Sequence, residues 1–145
     1  MRRLVMVWLA LLGLAGCVSP SVPLEAVVEQ GNAYMSAYQR WDRETMARFY
    51  SPKMFSAMPE EAWWENLEDK RRQLGALKSF SLMNKSKDTR FSGVFFILQY
   101  KTVYERGEGR EIVTFVEPVE EGGRVKIFAH TIQIKRLFRQ PSEGR

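Results

Sequence analysis

The run Val94-Phe95-Phe96-Ile97-Leu98-Gln99-Tyr100-Lys101-Thr102-Val103-Tyr104 decides the fold. Its β-branched and aromatic residues, with no Pro or Gly among them, read as a strand. Alternation sends Val94, Phe96, Leu98 and Tyr100 to one face and Phe95, Ile97, Gln99, Lys101 and Val103 to the other. The first set is cleanly apolar and is expected to meet helices. The second is too apolar for a wholly solvated surface, which points to a partly buried outer face and a homodimer contact across it.

On either side of this strand the punctuation is that of a meander. Residues 76–89, with Leu77, Phe80, Leu82 and Met83, read as a weaker first strand. Gly107-Glu108-Gly109 reads as a hairpin turn into a third strand over 111–119, and Glu121-Gly122-Gly123 as the turn into a fourth over 125–135. Connections this short require antiparallel neighbours.

Upstream of Gly75 the apolar period becomes helical. Leu24, Val27, Val28, Tyr34, Tyr38 and Trp41 form one aromatic-rich stripe, with Gly31 inside it. Asp42 is placed to cap a short second helix through Met46, Phe49 and Tyr50, which Ser51-Pro52 ends. A third opens at Pro59-Glu60-Glu61, carries Trp63, Trp64, Leu67 and Leu74, and stops at Gly75 after Lys70, Arg71 and Arg72. Adjacent helical residues point about 100° apart, so either Trp63 or Trp64 is expected to be partly exposed, as at a partner surface. Three helices followed by a four-stranded antiparallel meander predict a segregated α+β domain over residues 24–135, with the helices on one face of a curved sheet. Residues 136–145 read as a flexible basic tail.

Counts restrict the chemistry. In 145 residues, 45% of them hydrophobic, there is one Cys and one His. That excludes a zinc site of the usual Cys/His kind, an internal disulfide and a CxxC redox pair, and no metal or cofactor is expected. No G-x-S-x-G elbow or P-loop occurs. His130 is the only general base of the usual kind, and alternation places it with Phe128, Ile132 and Ile134 on the helix-facing side. Tyr100 is its candidate partner for proton transfer, although a lone His on an apolar face is more often a hydrogen-bonded core residue. Tyr34, Tyr38, Trp41, Phe96 and Tyr100 are candidates to line an apolar ligand cavity; packing is the plainer role for such stripes. Lys85, Lys87 and Arg90, and separately Lys135, Arg136 and Arg139, form basic clusters that suit solvated faces and edge-strand protection, or weak contact with anionic envelope components.

At the N-terminus, Arg2 and Arg3 precede a 12-residue apolar run over 4–15, then Gly16 and Cys17. Twelve helical residues span roughly 18 Å, short of the ~30 Å hydrocarbon core, so the run reads as a secretory signal over 1–16 and not as a permanent span. Leu14-Ala15-Gly16-Cys17 resembles the lipobox of bacterial lipoproteins. The resemblance implies cleavage between Gly16 and Cys17, a diacylglycerol on the Cys17 thiol, and acylation of the new N-terminus with palmitate-type chains. Val18 stands where lipoproteins kept at the inner membrane tend to show Asp, which implies the outer membrane, facing the periplasm. Residues 17–23, with two Pro and two Ser, then form a lipidated tether. Losing residues 1–16 removes Arg2 and Arg3 and lowers the net charge from +5 to +3. Export and so small a surplus both argue against nucleic acid as a partner.

Segments 34–55, 64–75 with its Arg71-Arg72-Gln73-Leu74-Gly75 ending, 93–104 and 111–116 together resemble the cystatin-like, nuclear-transport-factor-like superfamily of cone-shaped domains, and small secreted bacterial domains of unknown function within it. That superfamily hosts isomerases, dehydratases, secretion components and binding modules, so the resemblance does not choose an activity. The expectation is an envelope lipoprotein that binds an envelope protein or small apolar ligand without catalysis. The alternative is a small isomerase or dehydratase with a pocket near His130 and Tyr100.

Overall fold

The computed structural model describes residues 21–121 and 123–139, so Gly16 and Cys17 lie outside the described residues. Helix α1 (Leu24–Arg40) buries Val27, Tyr34, Met35, Ala37 and Tyr38 against the sheet. Gly31 belongs to the same stripe because space there is short: a β-carbon would collide with Leu98 and lie 2.5 Å from the Tyr100 hydroxyl. Asp42 caps α2 (Arg43–Ala47), accepting the Thr45 N–H at 3.0 Å. This helix ends a turn earlier than the spacing predicts, because the backbone beyond it is claimed by the sheet. Ser51 N–H donates to Ile127 O at 2.9 Å and Ile127 N–H to Phe49 O at 2.7 Å, a parallel bridge at Tyr50. A 3₁₀ turn, Pro52–Ser56, leads to α3 (Glu60–Leu74). Pro59 is the N-cap of α3, one residue before the first helical position expected for it, and Gly75 closes the helix at φ 81°.

Strands β1 (Leu77–Arg90), β2 (Gly93–Tyr104), β3 (Gly107–Pro118) and β4 (Lys126–Leu137) form one antiparallel sheet in sequence order, so the α+β arrangement holds. Phe96, Leu98 and Tyr100 are fully buried beneath the helices, with Val94 half-buried. On the opposite face Phe95, Ile97 and Ile112 are half-buried. Phe95 meets Phe128 edge-on at 5.7 Å and carries the Arg90 guanidinium at 5.1 Å, so this face partly covers its own apolar surface.

Four expectations are corrected. Gly107-Glu108-Gly109 is the start of β3 and not a turn; the chain reverses at Glu105-Arg106. A β-carbon at Gly107 would lie 2.7 Å from Arg136 O, and one at Gly109 2.8 Å from Gln133 O, so these glycines admit the neighbouring backbone of β4. Phe128 leaves the face of His130, because a register shift at Thr114/Phe115 inserts one residue in β4 and turns Ile127 inward instead. Trp63 and Trp64 are both buried, since Arg43 stacks on the Trp64 ring at 4.5 Å and Tyr50 packs against both indoles. Finally, Arg136 is no tail residue: β4 runs to Leu137, Arg136 pairs with Glu108 at 3.2 Å, and Phe138 N–H donates to Arg106 O at 2.9 Å.

Candidate functional site

Glu111 occupies an inward position of β3 between Gly109 and Val113, and His130 faces Val113 from β4. Side chains at such diagonal cross-strand positions reach one another. The His130 Nε2 and a Glu111 carboxylate oxygen are 2.7 Å apart, and neither side chain touches solvent. Tyr34 Oη lies 2.8 Å from His130 Nδ1 and 2.9 Å from Tyr50 Oη. The other Glu111 oxygen accepts from the Tyr104 hydroxyl, which lies 3.2 Å from the Tyr38 hydroxyl. One polar chain, Tyr50-Tyr34-His130-Glu111-Tyr104-Tyr38, thus crosses the core from the α2 side to the β2 side. The rings of Tyr34, Tyr38 and Trp63 surround the imidazole at 5.5, 5.8 and 5.5 Å.

This chain has two complete proton arrangements. With neutral His130, Nε2–H donates to the Glu111 carboxylate and Nδ1 accepts from Tyr34, which accepts in turn from Tyr50. With charged His130, Nδ1–H donates to Tyr34 and Tyr34 to Tyr50. In either case each imidazole nitrogen and each carboxylate oxygen is engaged inside the protein. Burial raises the Tyr34 hydroxyl pKa well above its ordinary value, and the Tyr50 hydroxyl beside it adds to this. Burial pushes Tyr50 up to about 12, against the opposing hydrogen bond from Tyr34. Tyr38 and Tyr104 are raised by burial and then by the Glu111 charge.

The structure does not bring Tyr100 to His130. The Tyr100 hydroxyl donates to Asn32 Oδ1 at 3.3 Å, and the phenol on the imidazole is Tyr34. Of the five residues considered for a cavity lining, Tyr34, Tyr38, Phe96 and Tyr100 are buried core, while Trp41 lines an open cleft. Glu111 escaped the sequence reading, yet its parity was a signal. An acid in phase with inward Val113 and Phe115 needs a buried partner, and the chain has a single His.

The open cleft has a volume of about 480 Å³ and lies between Trp41, the end of α3 and the β2–β3 turn, lined also by Glu68, Arg71, Arg72, Glu105 and Arg106. Trp41 closes α1 at φ 57°, a left-handed conformation that costs a bulky residue about 1–2 kcal/mol. Arg71 stacks on its ring at 4.6 Å. Arg106 donates to the Gln73 carbonyl at 3.2 Å and to the Arg72 carbonyl, and so caps α3. Glu68 is paired with Arg43 at 2.8 Å. The Glu105 carboxyl is held below the usual range by the Ala76 N–H at 3.1 Å and by Lys78 at 3.4 Å. Arg71 has no carboxylate partner among the described residues. Tyr38 and Tyr104, 3% and 2% exposed, pack beside Trp41 and Arg71.

Among the described residues, no three His, Cys, Asp or Glu side chains gather as metal ligands, and no helix is long and apolar enough to cross a membrane. No family model matches the chain, and no curated protein matches it. The solved structure of Bdellovibrio bacteriovorus Bd1075 is similar over 77% of this chain, with a TM-score of 0.54 and 10% sequence identity. The chain spans 40% of that protein, and at this identity the likeness is one of fold.

Proposed function

We propose that the chain is a cell-envelope lipoprotein, acylated at Cys17 and held at the outer membrane facing the periplasm, whose domain binds a ligand or protein partner in the Trp41–Arg71 cleft without catalysis. One observation carries the binding half of this reading. The acid–base groups of the core are spent on one another out of reach of solvent, whereas the open cleft presents an aromatic ring and a guanidinium with no acid paired to it among the described residues. Such a surface suits a partner that offers a carboxylate or phosphate beside a flat or apolar group. The anchor half rests on the register of charge, apolar run and Leu14-Ala15-Gly16-Cys17. Helices segregated on one side of a meander support grouping the domain with the cone-shaped cystatin-like folds, a grouping that brings no activity with it.

Two measurements test the reading. Cys17→Ser is expected to abolish labelling by a fatty-acid analogue and to release the protein from the membrane fraction, with its circular dichroism unchanged; continued labelling contradicts the anchor. For the cleft, small aromatic carboxylates and phosphates titrated into the Cys17→Ser protein are expected to shift the Trp41 indole N–H resonance and the Arg71 side chain. Shifts centred on His130 and the Trp63 indole instead would favour the proton-transfer alternative.

A further inference from the structure

The chain leaves the domain towards Cys17 at one end, and that end carries an unusual surface. Ser21 and Val22 are clamped by one carboxylate: Glu117 accepts the Ser21 hydroxyl at 3.2 Å, the Val22 N–H at 3.0 Å and the Gly123 N–H at 2.9 Å, and is 4% exposed. Lys87 adds a bond to Ser21 at 3.0 Å, and Lys85 pairs with Glu25 at the start of α1. Glu117 stands one residue before the end of β3, where Pro118 faces Gly93 and Gly93 faces Arg90. At the same end Phe91, on the tip of the β1–β2 hairpin, is 103% exposed and Val119, just past β3, is 71% exposed.

Length then limits orientation, given the acylation of Cys17 on which the argument rests. Four residue steps separate Cys17 from Ser21. Whatever their conformation, they reach at most about 14 Å. A domain of this size is roughly 35 Å across, so the clamp cannot be far from the lipid, and the domain cannot stand on its opposite end. We propose that the domain stands on the bilayer on this end, with Phe91 and Val119 seated in the interfacial region and Glu117 fixing the orientation.

The occupant is a lipid surface and not an anionic patch in particular, because the charges here are balanced. Arg90 pairs with Asp88 at 2.7 Å, Lys85 with Glu25, and exposed Arg124 has exposed Glu120 nearby in sequence. Apolar insertion supplies the contact. A consequence follows for the cleft. It sits at the opposite end of β2, a strand of 12 residues that spans roughly 36 Å. The cleft therefore opens into the aqueous space well above the membrane and takes a soluble or protein-borne group.

The acylated Cys17 has no free thiol, and the chain has no other Cys, so a single introduced Cys can be labelled uniquely. The full lipidated protein, with an environment-sensitive fluorophore at Phe91→Cys, Val119→Cys or Ser79→Cys, is reconstituted in phosphatidylethanolamine/phosphatidylglycerol vesicles containing bromolipids. The expected result is a blue shift and quenching at positions 91 and 119 and neither at position 79, with the signal at 91 lost on adding Glu117→Ala. Equal emission at all three positions in protein shown by mass to be acylated overturns the inference and leaves the lipoprotein reading intact. An unacylated Cys17 overturns both. A fluorophore at 91 already shielded in the vesicle-free Cys17→Ser protein, together with sedimentation as a dimer, assigns the tip to a second copy and also overturns it.

Discussion

Replacing Glu111 should test the buried polar chain more severely than any other single change. The carboxylate is fully buried and receives His130 Nε2 at 2.7 Å and the Tyr104 hydroxyl. Glu111→Ala leaves two buried donors without an acceptor, at about 1–3 kcal/mol each, and adds roughly 1 kcal/mol or more of cavity. The expected loss is about 3–7 kcal/mol, a large share of the 5–15 kcal/mol that typically holds a domain folded. Glu111→Gln keeps the volume and one acceptor. Its NH₂ finds a lone pair when His130 takes the other tautomer and the Tyr34 and Tyr50 hydroxyls reverse, so it should cost only about 1–2 kcal/mol. Urea unfolding of the Cys17→Ser protein reads both, by circular dichroism and by the fluorescence of Trp63, whose ring lies 5.5 Å from His130. With a slope near 1.5 kcal/mol/M, Glu111→Ala should lower the midpoint by roughly 2–5 M. A Glu111→Ala protein within about 1 kcal/mol of its parent, or one more stable than Glu111→Gln, would refute the reasoning.

Three other changes follow from particular contacts. All five tyrosines of the chain have hydroxyl pKa values raised first of all by burial, Tyr50 to about 12, so their contribution is complete below the ordinary value of 10 and fades above it. Absorbance at 295 nm should therefore stay flat through the usual tyrosine range and rise together with unfolding; a smooth independent titration near 10 would contradict this. At Glu117 burial acts to raise the pKa, but the N–H groups of Gly123 and Val22, the Ser21 hydroxyl and the Lys87 charge outweigh it and hold the carboxyl below its ordinary value. The clamp is thus complete above the unfolded glutamate pKa and weakens as pH falls through the lowered one, so Val22 amide protection against exchange should disappear in that acid range, and in Glu117→Ala at every pH; protection unchanged in Glu117→Ala would count against the clamp. Gly31→Ala gains about 1 kcal/mol of helix propensity but drives a methyl into Leu98 and the Tyr100 hydroxyl, so a net loss of roughly 1–2 kcal/mol and a lower Tm are expected, and a higher Tm would show that the α1–sheet contact yields easily.

What could be read from the residues divides by range of interaction. Caps and periods are local, and Asp42, Gly75 and the alternation of β2 put each helix and strand within a few residues of its place. Gly107 and Gly109 defeated the same logic, because the glycines answer to β4 backbone carbonyls more than twenty residues away in sequence and not to a turn. The inward face of β4 was off by one at Phe128, since a bulge opposite Phe115 carries no mark in composition. His130 was rightly placed facing the helices, but its partners depend on the β3–β4 register and on the angle at which α1 crosses the sheet. That is why Tyr34 and Glu111, and not Tyr100, proved to be its neighbours. The cleft was invisible for the same reason: Trp41, Arg71 and Arg106 are separated along the chain and meet only where α1, α3 and the β2–β3 turn converge.

The central claim, a domain carried on a lipidated Cys17, is tested most directly by the intact mass of the protein purified from membranes of a bacterial host, followed by fragmentation of its N-terminal peptide. The account predicts a chain that begins at Cys17, lacks residues 1–16, and bears a diacylglycerol thioether with acyl mass on the N-terminus. A chain that retains Met1, or one that begins elsewhere with an unmodified Cys17, would contradict it.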